Sequence, residues 1–137
     1  MTKALVKAAT RGVKVIVLLP GEIDSHLTYT ASRSHYGPLL LGGVQIFEYK
    51  ASLMHAKTIV VDGVWLTIGS TNFDNRSFAL NQEINLTVYD SGLAHRLEEI
   101  FQEDLKHSQK ITYEQWKSRS IFERLFEFFE FPIREQL

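Results

Sequence analysis

The chain has 137 residues, enough for one domain with a substantial core, and its 45% hydrophobic and 23% charged content is that of a soluble globular fold. A net charge of −1 without a run of Lys or Arg argues against the broad basic surface of a nucleic-acid binder. The absence of Cys excludes a disulfide scaffold, no signal peptide is recognisable, and no apolar stretch approaches the roughly 18 residues of a membrane-spanning helix.

Taken in chain order, Thr2 to Thr10 predicts a helix closed by Gly12. Val13 to Leu19 is a continuous apolar run, the pattern of a buried parallel strand, and Pro20-Gly21 breaks it. Asp24 or Ser25 caps a helix running to about Leu41, ended by Gly42-Gly43, and Val44 to Tyr49 predicts the next strand. The β-branched run Thr58 to Val61, then Asp62-Gly63 and a second apolar run, predicts a hairpin, with Gly63 supplying the positive φ of a type I′ turn. A two-residue loop sets Val61 opposite Val64, Lys57 opposite Ile68 and His55 opposite Ser70.

Ile84 to Tyr89 predicts a further strand, and Leu93, Leu97, Ile100, Phe101 and Leu105 recur at helical spacing. Near the end, Ser120-Ile121-Phe122-Glu123 is a capping-box pattern, and Phe122, Leu125, Phe126 and Phe129 line one helix face before Pro132. The alternation predicts a layered α/β domain over residues 1–111 with a helical extension over 112–137. An opening helix that feeds a buried strand reads as a βαβ unit without its first strand, so the chain is expected to be the C-terminal portion of a larger enzyme.

Chemistry concentrates in the hairpin. His55 and Lys57 are two residues apart, so on a strand they leave the same face. With the predicted register, Ser70 and Asn72 join them in one patch. An imidazole beside a fixed ammonium suits an anionic phosphate ester. The five histidines, His26, His35, His55, His95 and His107, show no metal-ligand spacing, and no metal or other cofactor is expected.

His55-x-Lys57 with Asp62 five residues on, then six residues to Gly69-Ser70-x-Asn72, resembles the motif of the phospholipase D superfamily. The longer strings Gly69-Ser70-Thr71-Asn72-Phe73-Asp74-Asn75-Arg76-Ser77 and Leu80-Asn81-Gln82-Glu83-Ile84-Asn85-Leu86 are similar to its bacterial cardiolipin synthase branch. So are Arg11-Gly12-Val13-Lys14-Val15, Leu18-Leu19-Pro20-Gly21, Ala31-Ser32-Arg33-Ser34-His35-Tyr36 and Gly43-Val44-Gln45-Ile46-Phe47-Glu48-Tyr49. The likeness runs from about Arg11 to about Ile111.

The resemblance implies a layered α/β/α phospholipase D-like domain with a mixed sheet. It makes His55 either the nucleophile that forms a phosphohistidine or its general-acid counterpart. Lys57 and Asn72 hold phosphate oxygens, Ser70 adds a hydroxyl donor, and Glu83 accepts from the other imidazole nitrogen of His55. Asp62, Gly63 and Gly69 are structural parts of the motif. The implied partners are phosphatidylglycerol, a second motif-bearing half or a homodimer copy, and the surface of the cytoplasmic membrane, with no nucleic acid.

Other segments keep two readings. Glu83 is also readable as a solvated strand-edge carboxylate. Arg33 and His35 either reach a headgroup phosphate or line a solvated helix face, and Asp74-Asn75-Arg76-Ser77 either binds substrate or is a loop tied by its own side chains. The aromatic C-terminal helix either leans on lipid or docks on protein. Glu123, Glu127 and Glu130 favour docking, because anionic lipid repels them.

Overall fold

A computed structural model describes residues 1–21, 33, 35–72 and 82–119. The predicted caps Asp24 and Ser25, the string Asp74-Asn75-Arg76-Ser77 and the C-terminal aromatic helix lie outside the described residues. The chain divides into two units, Met1–Leu53 with Ser108–Leu137, and Met54–His107. Each holds one three-stranded sheet, with several helices in the first unit and one described helix on the sheet of the second, so the mixed α/β class holds.

In the first unit, α1 (Thr2–Thr10) is followed by β1 (Ile16–Pro20). Helix α1 ends where predicted: the Gly12 N–H reaches the Ala9 carbonyl and the Val13 N–H the Ala8 carbonyl, the paired bonds of a Schellman motif. The strand starts later than the apolar run and includes Pro20, whose missing N–H is tolerated at the end of an edge strand. Its five residues are half-buried rather than fully buried.

Next comes α2 (Tyr36–Leu41), the C-terminal end of the predicted helix, most of the remainder of which lies outside the described residues. Starting at Tyr36 puts Pro38 in the first turn, where N–H groups have no helical partner. Gly43, with φ +87°, closes α2 in the left-handed region.

Strand β2 (Gln45–Tyr49) runs parallel to β1, with Val17 beside Ile46 and Leu19 beside Glu48. Two elements had no local signal: β6 (Ser108–Ile111), antiparallel to β2, and α4 (Tyr113–Lys117). A capping box between Thr112 and Gln115 starts α4. Tyr36, Leu39, Val44, Ile46 and Ile111 form the core, covered by Leu5, Val6 and Ala9 of α1 and by Trp116 of α4. Glu48 is buried among them; its carboxylate meets Arg33 Nε at 3.4 Å and Lys50 Nζ at 3.1 Å.

The second unit contains β3 (Thr58–Val61), β4 (Trp65–Gly69), β5 (Asn85–Tyr89) and α3 (Ser91–Lys106). The strands pair antiparallel in the order β3-β4-β5, and α3 packs on β3 and β4. The Asp90 side chain caps α3 by accepting the Leu93 N–H at 2.7 Å. Leu66 and Ala94 are fully buried here, while Ile84, Leu86 and Tyr89 stay exposed.

The hairpin forms around Asp62-Gly63, both with positive φ, but its register differs from the predicted one. Val61 pairs with Trp65 and Thr58 with Ile68, a shift of one residue. The cause is Val64. Its N–H closes the turn onto Val61, while its carbonyl accepts the Asp90 N–H at 2.9 Å and so leaves the β3 ladder. Among the described residues, no helix is long and apolar enough to cross a membrane.

Candidate active site

The site is built on the open end of the second sheet. Lys57 precedes β3, and its carbonyl accepts the Gly69 N–H at 3.1 Å, so Lys57, Gly69 and Asn85 occupy one rung across three strands. Because of the shifted register, Ser70 is out of step with Lys57. The expected cross-strand pairing of His55 with Ser70 does not occur, since a one-residue slip exchanges the faces of a strand.

Two side-chain pairs result. In the first, Lys57 Nζ lies 2.7 Å from His55 Nε2 and also donates to the His55 carbonyl at 3.1 Å. With the Lys57 ammonium as donor, Nε2 is the acceptor, the role that nitrogen has in the Nδ1–H tautomer. In the second, the Ser70 hydroxyl donates to Glu83 Oε2 at 2.5 Å and accepts the Ile84 N–H at 3.1 Å. The Ser70 N–H in turn reaches the Ile84 carbonyl at 3.0 Å, continuing the β4–β5 ladder beyond Gly69. Asn72 follows two residues later and is exposed.

Gly69 and Thr71 support these pairs. A Cβ on Gly69 would collide with the Asn85 carboxamide and the Ile84 carbonyl, so only glycine lets β5 close on β4 at this rung. The Asn85 amide donates to the Thr71 hydroxyl at 2.6 Å, and Thr71 is buried. Among the described residues, no three His, Asp or Glu side chains converge to hold a metal ion. The described side chains offer an imidazole, an ammonium, a hydroxyl–carboxylate pair and an exposed carboxamide, a set suited to a tetrahedral anion.

The family model for the cardiolipin synthase, PLD-like domain matches residues 1–105. The chain belongs to that family.

Two relatives show how far the likeness of this cardiolipin synthase-type domain extends. It is 43% identical over 122 residues to cardiolipin synthase 1 of Bacillus cereus, covering 89% of this chain and 24% of that protein. It is 42% identical over 124 residues to the cardiolipin synthase of Geobacillus kaustophilus, covering 90% of this chain and 25% of that protein. The chain thus spans about a quarter of the length of these relatives. Among solved structures it is similar to Nuc, a phospholipase D family member from Salmonella typhimurium, with a TM-score of 0.71 and 25% identity over 81% of this chain and 72% of that one.

The sequence of this PLD-like domain placed His55 and Lys57 together but did not show the cross-strand contacts of the other motif residues. The His55–Lys57 proximity follows from their two-residue spacing, but the Ser70–Glu83 contact and the Asn85–Thr71 brace depend on which residues face each other across strands. Only the glycine at position 69 carried a local signal. In the first unit, Arg33 pairs with the buried Glu48, and its carbonyl accepts Trp116 Nε1–H at 2.7 Å. That contact anchors the residue to the core, which neither reading of Arg33 anticipated.

Proposed function

We propose that the protein of which this domain is part transfers a phosphatidyl group from one phosphatidylglycerol to another, giving cardiolipin and glycerol. The observation that carries this reading is the His55–Lys57 pair, an imidazole with its Nε2 lone pair held beside an ammonium, in a domain of the cardiolipin synthase family. In the first step a histidine nitrogen attacks phosphorus, the N–P bond forms and the P–O bond to glycerol breaks. An acid on the opposite side protonates the departing alkoxide. In the second step the hydroxyl of another phosphatidylglycerol gives its proton to that same group and attacks phosphorus, and the N–P bond breaks.

One imidazole cannot stand on both sides of phosphorus. His55 supplies one of the two groups, and the other comes from a second motif-bearing half or from a second copy of the chain across a two-fold axis. Lys57 and Asn72 hold the phosphate oxygens and stabilise the charge of the pentavalent transition state. Ser70 adds its hydroxyl, and Glu83 holds that hydroxyl in place by accepting from it. Because the substrate is a lipid, the reaction takes place at the membrane surface.

The test is product analysis with the full-length protein and phosphatidylglycerol vesicles. Cardiolipin and glycerol in equal amounts, lost in His55→Ala, are the expected result. Phosphatidic acid as the main product would mean that water is the acceptor and would overturn the transfer reading.

A further inference from the structure

We infer that Lys57 caps Nε2 of His55 in the substrate-free chain, and that an arriving phosphate must draw the ammonium away before Nε2 can meet the reacting group. The inference rests on the reading of this site as one for a phosphate ester. Its basis is geometric. An imidazole nitrogen of the acceptor type has a single in-plane lone pair, and the Lys57 ammonium at 2.7 Å occupies that of Nε2. The same ammonium is anchored to the His55 carbonyl at 3.1 Å, so two of its three N–H bonds are directed at one residue.

The third N–H remains for an incoming anion. A bond from an ammonium to a phosphate oxygen is charged on both sides and stronger than one to a neutral imidazole. Substrate binding therefore favours transfer of Lys57 from His55 to phosphate, and the same movement uncovers Nε2 on the side where the substrate arrives. A second consequence is that Lys57 fixes the tautomer. Which imidazole nitrogen carries the proton is set by the hydrogen bond at the other, and a donor on Nε2 requires the proton on Nδ1. Lys57 is thus a positioning residue for His55 in addition to a phosphate-binding one.

The experiment is nitrogen NMR of the imidazoles in the 15N-labelled chain, at a pH above the ordinary histidine range, with inorganic phosphate as the probe. His55 is expected to show the Nδ1–H tautomer in the wild type and to revert to predominantly Nε2–H in Lys57→Met. Phosphate is expected to shift the wild-type Nε2 resonance to that of an uncapped lone pair, and to leave Lys57→Met unmoved. Lys57→Arg, which keeps a cationic donor, should retain the Nδ1–H form. If Lys57→Met fails to fold, the wild-type phosphate titration and Lys57→Arg still decide.

An Nε2–H tautomer in the wild type, an unchanged tautomer in folded Lys57→Met, or an Nε2 resonance indifferent to phosphate would each overturn the inference. These readouts are independent of turnover. A protein that yields phosphatidic acid instead of cardiolipin would end the transfer reading without touching the Lys57 cap.

Discussion

Gly69 and Asn85 face each other across β4 and β5, and the Asn85 carboxamide fills the space that a side chain on Gly69 would need. This contact lets the strands carrying Ser70 and Glu83 approach closely enough for their hydroxyl–carboxylate bond. Gly69→Ala should destabilise the domain by about 1–3 kcal/mol, the usual cost of overpacking. The denaturant midpoint should fall with the slope unchanged. Adding Asn85→Ala should recover only part of the loss, because the Ile84 carbonyl also stands in the way. An unaltered midpoint in Gly69→Ala would show that the rung has room to spare.

Gly37 offers a case where helix propensity points the wrong way. Replacing a helical Gly by Ala ordinarily gains up to about 1 kcal/mol. Here a Cβ would run into the Trp116 indole, which packs directly on the α2 backbone and is held by its bond to the Arg33 carbonyl. Gly37→Ala should therefore lower the thermal midpoint, whereas a propensity-governed site would raise it.

Ser70 separates structure from chemistry. Ser70→Ala removes the acceptor for the Ile84 N–H, a loss of about 1 kcal/mol in stability. If the hydroxyl also serves the transition state, turnover of the full-length protein should fall on the order of 10²-fold with KM little changed. Glu83→Gln should fall less, because the amide oxygen can still accept from Ser70. Equal and small losses in both variants would reduce Ser70 to a pin between strands.

The last turn of α3 sets a modest acid-side sensitivity. The Glu103 carboxyl is held below its ordinary value mainly by its hydrogen bond from Lys106, with the Lys106 charge acting in the same direction. A carboxylate whose folded pKa is depressed contributes stability that is present above its ordinary range and lost as pH falls through the folded value. Lys106→Met should move the Glu103 midpoint upward in a carboxyl NMR titration and flatten that part of the stability profile. Added salt should weaken the effect, since the pair is fully exposed.

The sequence by itself determined the hairpin around Asp62-Gly63, the helix stops at Gly12 and Gly43, and the spacing that sets His55 beside Lys57. All of these follow from local rules, because φ preferences, caps and residue spacing act within a few positions. Tertiary structure alone decided the register. The Asp90 N–H captures the Val64 carbonyl across 26 residues and shifts β3 against β4, which separates Ser70 from the His55 rung. The same holds for β6, whose polar residues Ser108, Gln109 and Lys110 have no strand-like pattern and are extended because the β2 edge accepts them. Glu48 likewise reads as an ordinary polar position in a strand, yet it is buried. Its partner Lys50 lies only two residues on, but only the tertiary fold brings Arg33 to its carboxylate.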